Sequence, residues 1–320
     1  MGKAKKRVNP KVTSRVNQKL KKQTLKQAIR FARKLPPPWK WSGTGRKPRY
    51  DGTLIAVLCL WLVACNFTYD ELAEELGRSY VKRILGVRKL PSRSTVNRGM
   101  LRLSQKYIRR FNKIVVGRLA RKRMTVVLDS TGIRLVTSSA WYDIRIGRRN
   151  RRRDNKKFHI ATETRRNCIL EYKITCYRRH DSPQLKFLLR DIDELLRVLG
   201  DAGYISRANC DIVVKKKGKP FFAIKKNTTA KKKGSAAYRD MVKMAKFKEE
   251  LFKAVYHMRS VVEAVFSSLK KRYGNCIRAV KCKAKNNNLA LRVVAYNIKQ
   301  LLYDRMARNL GVPFWVKCGQ

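Results

Sequence analysis

Three carboxylates stand apart from the other acids of this chain because of the apolar residues around them. Asp129 ends the apolar run VVLD, Asp201 follows VLG in VLGDAGY, and Glu263 lies among valines in RSVVEAVF. The first two runs favour strands, and the third has the pattern of a helix. A carboxylate at a strand end, framed by core residues, is well placed to hold a hard cation. The three residues therefore predict a site for metal-dependent chemistry.

Further polar side chains stand at helical spacing around Glu263. Tyr256, Arg259 and Lys270 lie seven residues before, four before and seven after it. On a single helix these four side chains fall within an arc of about 60°. The pattern predicts one stripe that carries a phenol, a guanidinium, a carboxylate and an ammonium. The apolar positions left to pack against a sheet are Val261, Val262, Val265, Phe266 and Leu269.

The charge balance points to a polyanionic partner. The 320 residues include 78 Lys and Arg against 21 Asp and Glu, a formal net charge of +57. Nucleic acid is the first candidate, and an anionic membrane surface is the weaker one. Hydrophobic residues make up 44% of the chain, enough for a core, which excludes a largely disordered basic protein.

Membrane, secretory and zinc-site signals are weak. The longest apolar run, residues 54–65, is shorter than the roughly 20 residues that span a bilayer. We therefore expect no membrane partner. The eight cysteines contain no C-x2-C pair, which favours reduced thiols in a cytosolic protein over a zinc site.

The composition divides the chain into four segments. Residues 1–50 form a basic arm and linker, with a helix expected from Val12 to Lys34, and residues 311–320 form a tail. Residues 51–120 read as an all-helical DNA-binding domain. Asp51 is expected to cap its first helix, Thr68 and Glu71 to form a capping box, and a last helix to run through Arg118.

Residues 121–310 alternate strands and helices. Strands are expected at 124–128, 157–162, 168–176 and 221–224, and just before Asp201. A helix is expected from Pro183 to about Arg197, and helices fill most of the chain after Ala236. This pattern predicts an α/β domain in which helices cover a mixed sheet.

Basic side chains outside the acidic motifs are candidate DNA contacts. Arg93 and Arg98 would face DNA from a helix-turn-helix arrangement. The segment RIGRRNRRRDNKK, residues 145–157, would lie along a duplex. Its central arginines are Arg148, Arg149, Arg151, Arg152 and Arg153. His159 is expected to be packed or hydrogen-bonded within a strand, and Asp181 to cap a helix.

The motif Y-x2-R-x3-E-x6-K resembles the signature of bacterial and archaeal insertion-sequence transposases of the DDE class. The segments DST at 129–131 and GDAGY at 200–204 resemble the first and second aspartate motifs of these enzymes, and KFH at 157–159 resembles their second strand. GRKPRY at 45–50 and LPSRST at 90–95 resemble their N-terminal region. The resemblance covers roughly residues 45–305.

This resemblance implies an RNase H-like catalytic domain after the helical region. Asp129, Asp201 and Glu263 would hold two Mg²⁺ ions, with Mn²⁺ as a substitute. The activity implied is cleavage of DNA at the ends of an insertion sequence and joining of the freed 3′-OH to target DNA. Arg259 and Lys270 would grip phosphates, and Tyr256 would hold a phosphate or stack on a displaced base.

The expected partner is double-stranded DNA, with a homodimer joining two element ends in the cytoplasm at the nucleoid. Three alternatives stay open. One is a noncatalytic DNA-binding protein derived from a transposase. The others are a basic RNA-binding or ribosome-associated protein and a simple nuclease of the same fold. The residues leave open the terminal sequence recognised, the target preference and the route of second-strand cleavage.

Overall fold

The computed structural model describes residues 6–44, 47–135, 145, 147, 155–225, 227–230, 234–277 and 279–317. It forms two compact units, one of residues 1–119 with 280–320 and the other of residues 120–279. The expected catalytic segment, 121–310, differs from this division at its C-terminal end. The reason is that the long helix after residue 281 has its apolar contacts with the helices of the first unit.

The N-terminal part of the first unit consists of a short strand followed by helices. Its elements are β1 (Lys6–Val8), α1 (Pro10–Gln18), α2 (Leu20–Ala32), α3 (Gly52–Cys65), α4 (Tyr69–Gly77), α5 (Ser79–Leu85), α6 (Arg93–Arg102) and α7 (Gln105–Val116). Helix α3 is almost wholly buried, as its continuous apolar sequence requires.

Side-chain caps set several of these boundaries. Asp51 accepts a hydrogen bond from the Thr53 amide, and Thr68 and Glu71 form the expected capping box. The single helix expected through Arg118 is instead α6 and α7, because Leu103 leaves the helical region and Ser104 caps α7. The helix expected from Val12 to Lys34 likewise breaks at Lys19 and ends at residue 32.

The second unit is a five-stranded mixed sheet flanked by helices, which confirms the predicted α/β class. Its elements are β2 (Met124–Arg134), β3 (Asn155–Glu163), β4 (Ile169–Cys176), α8 (Leu185–Leu188), β5 (Leu195–Gly200), α9 (Arg207–Lys215), β6 (Lys219–Phe222), α10 (Ala236–Phe247), α11 (Glu249–Tyr256) and α12 (Ser260–Tyr273). The strand order is β4-β3-β2-β5-β6. The β2–β3 and β3–β4 pairs are antiparallel, whereas the β2–β5 and β5–β6 pairs are parallel.

Two expectations about this sheet were wrong. Strand β2 does not end at Asp129 but continues to Arg134, because β3 pairs with it over that whole length. The helix expected from Pro183 to about Arg197 is a 3-10 turn, Ser182–Gln184, followed by the short α8. Residues 195–200 form a strand between β2 and β6, and a short apolar run of this kind has no periodicity that separates a buried strand from a buried helix.

The C-terminal elements complete the first unit. They are α13 (Cys282–Asn309) and β7 (Trp315–Lys317), which pairs antiparallel with β1. Asn287 is buried on α13, and its side-chain amide donates to the carbonyl oxygens of Met100 and Leu103, at 2.7 and 2.9 Å. Its Oδ1 accepts from Gln105 at 2.8 Å. One side chain therefore satisfies two carbonyls at the end of α6.

No single described helix is long and apolar enough to cross a membrane. Helices α3 and α4 reach the necessary length and hydropathy only when they are counted together, across a bend of 110°.

Replacing Asn287 with alanine should lower the free energy of unfolding by about 2–4 kcal/mol, because two buried carbonyl groups lose their donor. Urea denaturation followed by circular dichroism measures the change. Asn286→Ala, on the same helix but only partly buried, is the control and should differ little from the wild type. Equal losses in the two variants would contradict this role of Asn287.

Candidate active site

The register between β2 and β5 places Asp129 beside Asp201. Leu128 lies opposite Gly200 in this parallel ladder, and each of these two residues is followed directly by an aspartate. Neighbouring strands are about 4.8 Å apart, so the two backbones stay close at this point. Strand β5 ends here while β2 continues along β3, which leaves an open position at the carboxyl end of β5.

A backbone amide fixes each aspartate. The Ser130 amide donates to Asp129 Oδ1 at 2.8 Å, and the Gly203 amide donates to Asp201 Oδ1 at 3.0 Å. The Asp129 side chain is 18% exposed. Both carboxylates therefore have a defined orientation before any ligand arrives.

Glu263 reaches the same region from the first turn of α12. The opposite face of this helix is buried through Val262, Val265 and Phe266, and the Phe266 ring lies 6.3 Å from that of Phe158 on β3. Glu263 itself is exposed. The apolar face thus anchors the helix to the sheet and leaves the carboxylate on the exposed side.

Arg259 connects the helix carboxylate to the strand carboxylate. Its Nη1 lies 2.7 Å from Glu263 Oε1 and 3.8 Å from Asp129 Oδ2. It belongs to a 3-10 turn, His257–Arg259, directly before α12. One guanidinium therefore partly neutralises two of the three predicted ligands.

The environment raises the pKa of Asp129. Burial is the main cause, and repulsion from Asp201 and Glu263 adds to it, while the Ser130 amide and Arg259 act in the opposite direction. The Asp201 and Glu263 carboxylates therefore lie near enough to act on the charge of Asp129. This arrangement favours the entry of a cation.

Tyr256 does not share a helix with Glu263. It ends α11, and the 3-10 turn His257–Arg259 separates it from α12, so the four side chains predicted to share one helix do not lie on a single helix. Its ring stacks on Phe252 with centroids 5.5 Å apart, and its hydroxyl donates to the Gly200 carbonyl at 3.3 Å. Burial raises the pKa of this phenol.

Lys270 remains on α12 with Glu263. It lies two turns further along, about 10 Å by helical rise, and is half-buried. The helix therefore carries Lys270 away from the carboxylates.

The donor set suits a divalent metal ion, although the side chains are not gathered around one point. Three carboxylates supply the oxygen ligands that Mg²⁺ prefers. Within the part of the chain that the structure describes, no group of three or more His, Cys, Asp or Glu side chains lies close enough to hold one ion. The Glu263 carboxylate instead accepts a hydrogen bond from the Arg259 guanidinium.

A second polar group lies near the site, and the sequence did not indicate it. Asp181 was expected to cap a helix, but its side chain caps none. Its Oδ2 instead accepts from Lys157 at 2.8 Å, and its Oδ1 lies 3.1 Å from His159 Nδ1. His159 is fully buried, with Nε2 2.9 Å from the Thr175 hydroxyl. In the sequence these residues stand in the segments HDSP, 180–183, and KFH, 157–159, and the spacing of the two segments did not indicate that they meet.

The predicted DNA contacts of the helical region lie on α6. Arg93 is exposed and forms an ion pair with Asp70 at 2.7 Å, and the exposed Arg98 donates to the Ser94 carbonyl at 3.4 Å. The predicted arginines at 148, 149, 151, 152 and 153 lie outside the described residues.

The mixed sheet, its flanking helices and its acidic edge are consistent with a transposase fold. Residues 120–298 match the family described as "Transposase DDE domain", and since this is more than half of the chain, the protein belongs to that family. A chain of the cryo-EM structure of a piggyBac transposase synaptic complex with hairpin DNA is similar at 10% identity and a TM-score of 0.45. The similarity covers 92% of this chain and 74% of that one. No curated protein sequence matches the chain.

Asp129→Asn should raise the melting temperature at pH 7.5 in a metal-free buffer. Because the pKa of Asp129 is raised in the folded protein, its contribution to stability is lost as the pH rises through that raised value. The gain should shrink toward about pH 3, below the ordinary pKa of aspartate, where the carboxyl is largely protonated in both states.

Differential scanning calorimetry at the two pH values measures this difference. Asp240→Asn, an exposed aspartate on α10, is the control and should show no comparable gain. A lower melting temperature for Asp129→Asn at pH 7.5 would contradict the sign of this electrostatic effect.

Proposed function

We propose that this protein is a transposase that cleaves the ends of an insertion sequence and joins the freed 3′-OH to target DNA. The observation that carries the proposal is the arrangement of Asp129 and Asp201 side by side, with Glu263 tied to Asp129 through Arg259. Membership of the DDE transposase family and the net charge of +57 support it.

Asp129, Asp201 and Glu263 are the residues that we propose as ligands of two Mg²⁺ ions, with Mn²⁺ as a substitute. Bound divalent ions would stabilise the negative charge on the attacking oxygen of water or the 3′-OH and on the leaving oxygen of the phosphodiester. The domain would then be RNase H-like, and the acidic edge of its sheet would be its catalytic face. The amides of Ser130 and Gly203 orient the two aspartates for this role.

The surrounding residues fit roles on the DNA. Arg259 would release the carboxylates when metal ions bind and would then contact a phosphate, and Lys270 would grip a phosphate farther along the same helix. One face of the Tyr256 ring is covered by Phe252, so its hydroxyl, bonded to Gly200, is the better candidate for a role beside Asp201. The basic side chains of α6, with the arginines of residues 148–153, would bind the duplex, and a homodimer would join two ends.

A noncatalytic DNA-binding protein derived from a transposase is the second candidate. The observation that favours it is the position of Arg259, which neutralises Glu263 and Asp129 without a metal ion. In that case the acidic site would be a structural remnant, and the basic surface alone would have a function.

The first experiment combines purified protein, a labelled duplex with the terminal sequence of the element, and Mg²⁺ or Mn²⁺. We expect cleaved and joined products that depend on the metal, and a loss of about three orders of magnitude in Glu263→Gln. Glu250→Gln, an exposed glutamate on α11, is the control and should retain activity. Tight DNA binding without products, identical in all three proteins, would favour the noncatalytic candidate.

Removing a proposed metal ligand should not weaken DNA binding. Asp129→Asn, Asp201→Asn and Glu263→Gln each remove negative charge close to the phosphates, so in metal-free buffer they should bind DNA as tightly as the wild type or more tightly. Fluorescence anisotropy over a series of salt concentrations measures this. Parallel losses of binding and cleavage would place these residues in the folded scaffold and not at the reaction centre.

Lys270→Ala should reduce end cleavage more than nonspecific DNA binding, because a phosphate contact near the scissile bond acts on positioning. Lys243→Ala removes an exposed lysine from α10 and is the matched control. If both variants lower binding and cleavage equally, Lys270 is an ordinary surface cation.

A further inference from the structure

We propose that Asp181 is a positioning residue that holds Asp129 and Asp201 in place from the opposite face of the sheet. This inference rests on the proposed function, because it concerns the residues proposed there as metal ligands. Asp181 touches neither of them as a ligand would, and it acts through Ser130 and Gly203, the residues whose amides orient the two aspartates.

The cluster around Asp181 is built on neighbouring strands. Ser130 on β2 lies opposite His159 on β3, and Lys157 lies two residues before His159, so these three side chains share one face. Asp129 points to the other face, where α12 packs. Asp181 covers the cluster from the segment after β4, with a side chain only 15% exposed.

Ser130 links Asp181 to the first proposed ligand. The interaction of its hydroxyl with the Asp181 carboxylate lowers the pKa of that carboxyl, while its amide donates to Asp129 Oδ1. Any displacement of Ser130 therefore changes the orientation of Asp129. Loss of the Asp181 carboxylate would remove one of the contacts that fix this residue.

Gly203 links Asp181 to the second proposed ligand. A Cβ at this position would lie 3.1 Å from Asp201 Oδ1 and 3.3 Å from Asp181 Oδ2. Gly203 is therefore packed between the two carboxylates, and its amide donates to Asp201. Tyr204, the next residue, is buried, and its pKa is raised by that burial and then by Asp181, Asp129 and Asp201.

The charge of Asp181 is compensated inside the cluster. Burial alone would raise its pKa, but interactions with His159, Lys157 and Ser130 outweigh burial and lower the pKa to about 2. The carboxylate is thus ionised at neutral pH. Asp181→Asn keeps its shape and removes the charge that Lys157 and His159 face, so the loop and strand held by the cluster would lose their fixed position.

Binding of Mn²⁺ to the full chain without DNA tests the proposal, with the free ion measured by electron paramagnetic resonance. We expect Asp181→Asn to bind Mn²⁺ about tenfold more weakly than the wild type, the scale of losing an outer-shell partner of a metal site. Asp211→Asn is the matched control. Asp211 lies on α9 and accepts a hydrogen bond from the Ser235 hydroxyl, and the variant should bind Mn²⁺ as the wild type does.

The same titration separates this proposal from the proposed function. If Asp201→Asn binds Mn²⁺ as the wild type does, the proposed metal site itself is wrong. If Asp201→Asn loses binding and Asp181→Asn keeps it, only the positioning role is overturned. A merely structural role would lower the melting temperature of Asp181→Asn and leave its Mn²⁺ affinity unchanged, and a variant that does not fold also overturns the proposal.

A double-mutant cycle provides a second measurement. Gly203→Ala should weaken Mn²⁺ binding in the wild type, because the new Cβ pushes on both carboxylates. In the Asp181→Ala background, Gly203→Ala should weaken Mn²⁺ binding by a smaller factor, because the Asp181 carboxylate next to the new Cβ is gone. Additive effects would show that Asp181 does not act through Gly203.

Discussion

The parallel pairing of β2 with β5 is the constraint on which the acidic site depends. Val126, Val127 and Leu128 on β2 are fully buried, as are Leu195, Val198 and Leu199 on β5, so burial on the sheet fixes the register. A slip of one residue would exchange the two faces of a strand and separate Asp129 from Asp201. The position of the site is therefore decided by the apolar core beneath it, and the polar residues only refine its geometry.

The same core brings the carboxylates of Asp129, Asp201 and Glu263 near one another in a chain with a net charge of +57. The three carboxylates raise one another's energy, and burial of Asp129 adds to this cost. Backbone amides and Arg259 offset part of it. What remains is a local excess of negative charge inside a surface that attracts polyanions, and such a contrast is useful where a cation must lie against a phosphate.

The sequence singled out Asp129, Asp201 and Glu263 as candidates, because each stands in an apolar segment of clear strand or helix character, and the structure places the two aspartates on adjacent strands. The sequence did not reveal the 3-10 turn that separates Tyr256 from α12, since helical spacing continues through residues 257–259. The strand before Asp201 was expected, but the sequence did not show that it begins at Leu195, because a buried central strand and a short buried helix have the same apolar composition. The contact of Asp181 with His159 joins residues 22 positions apart, and only the fold brings them together.

The placement of α13 makes the sheet unit an insertion within the helical one. The chain leaves the helical unit at residue 119 and returns to it at residue 280, and α13 then supplies much of that unit's buried surface. A single cut cannot release either unit whole. A deletion that begins after the last proposed ligand would remove α13 from the helical unit. A deletion that spares the helical unit would have to remove residues 120–279 and rejoin the two ends. Exchange of the helical unit between related chains would therefore require two crossovers, one on each side of the sheet unit in the sequence.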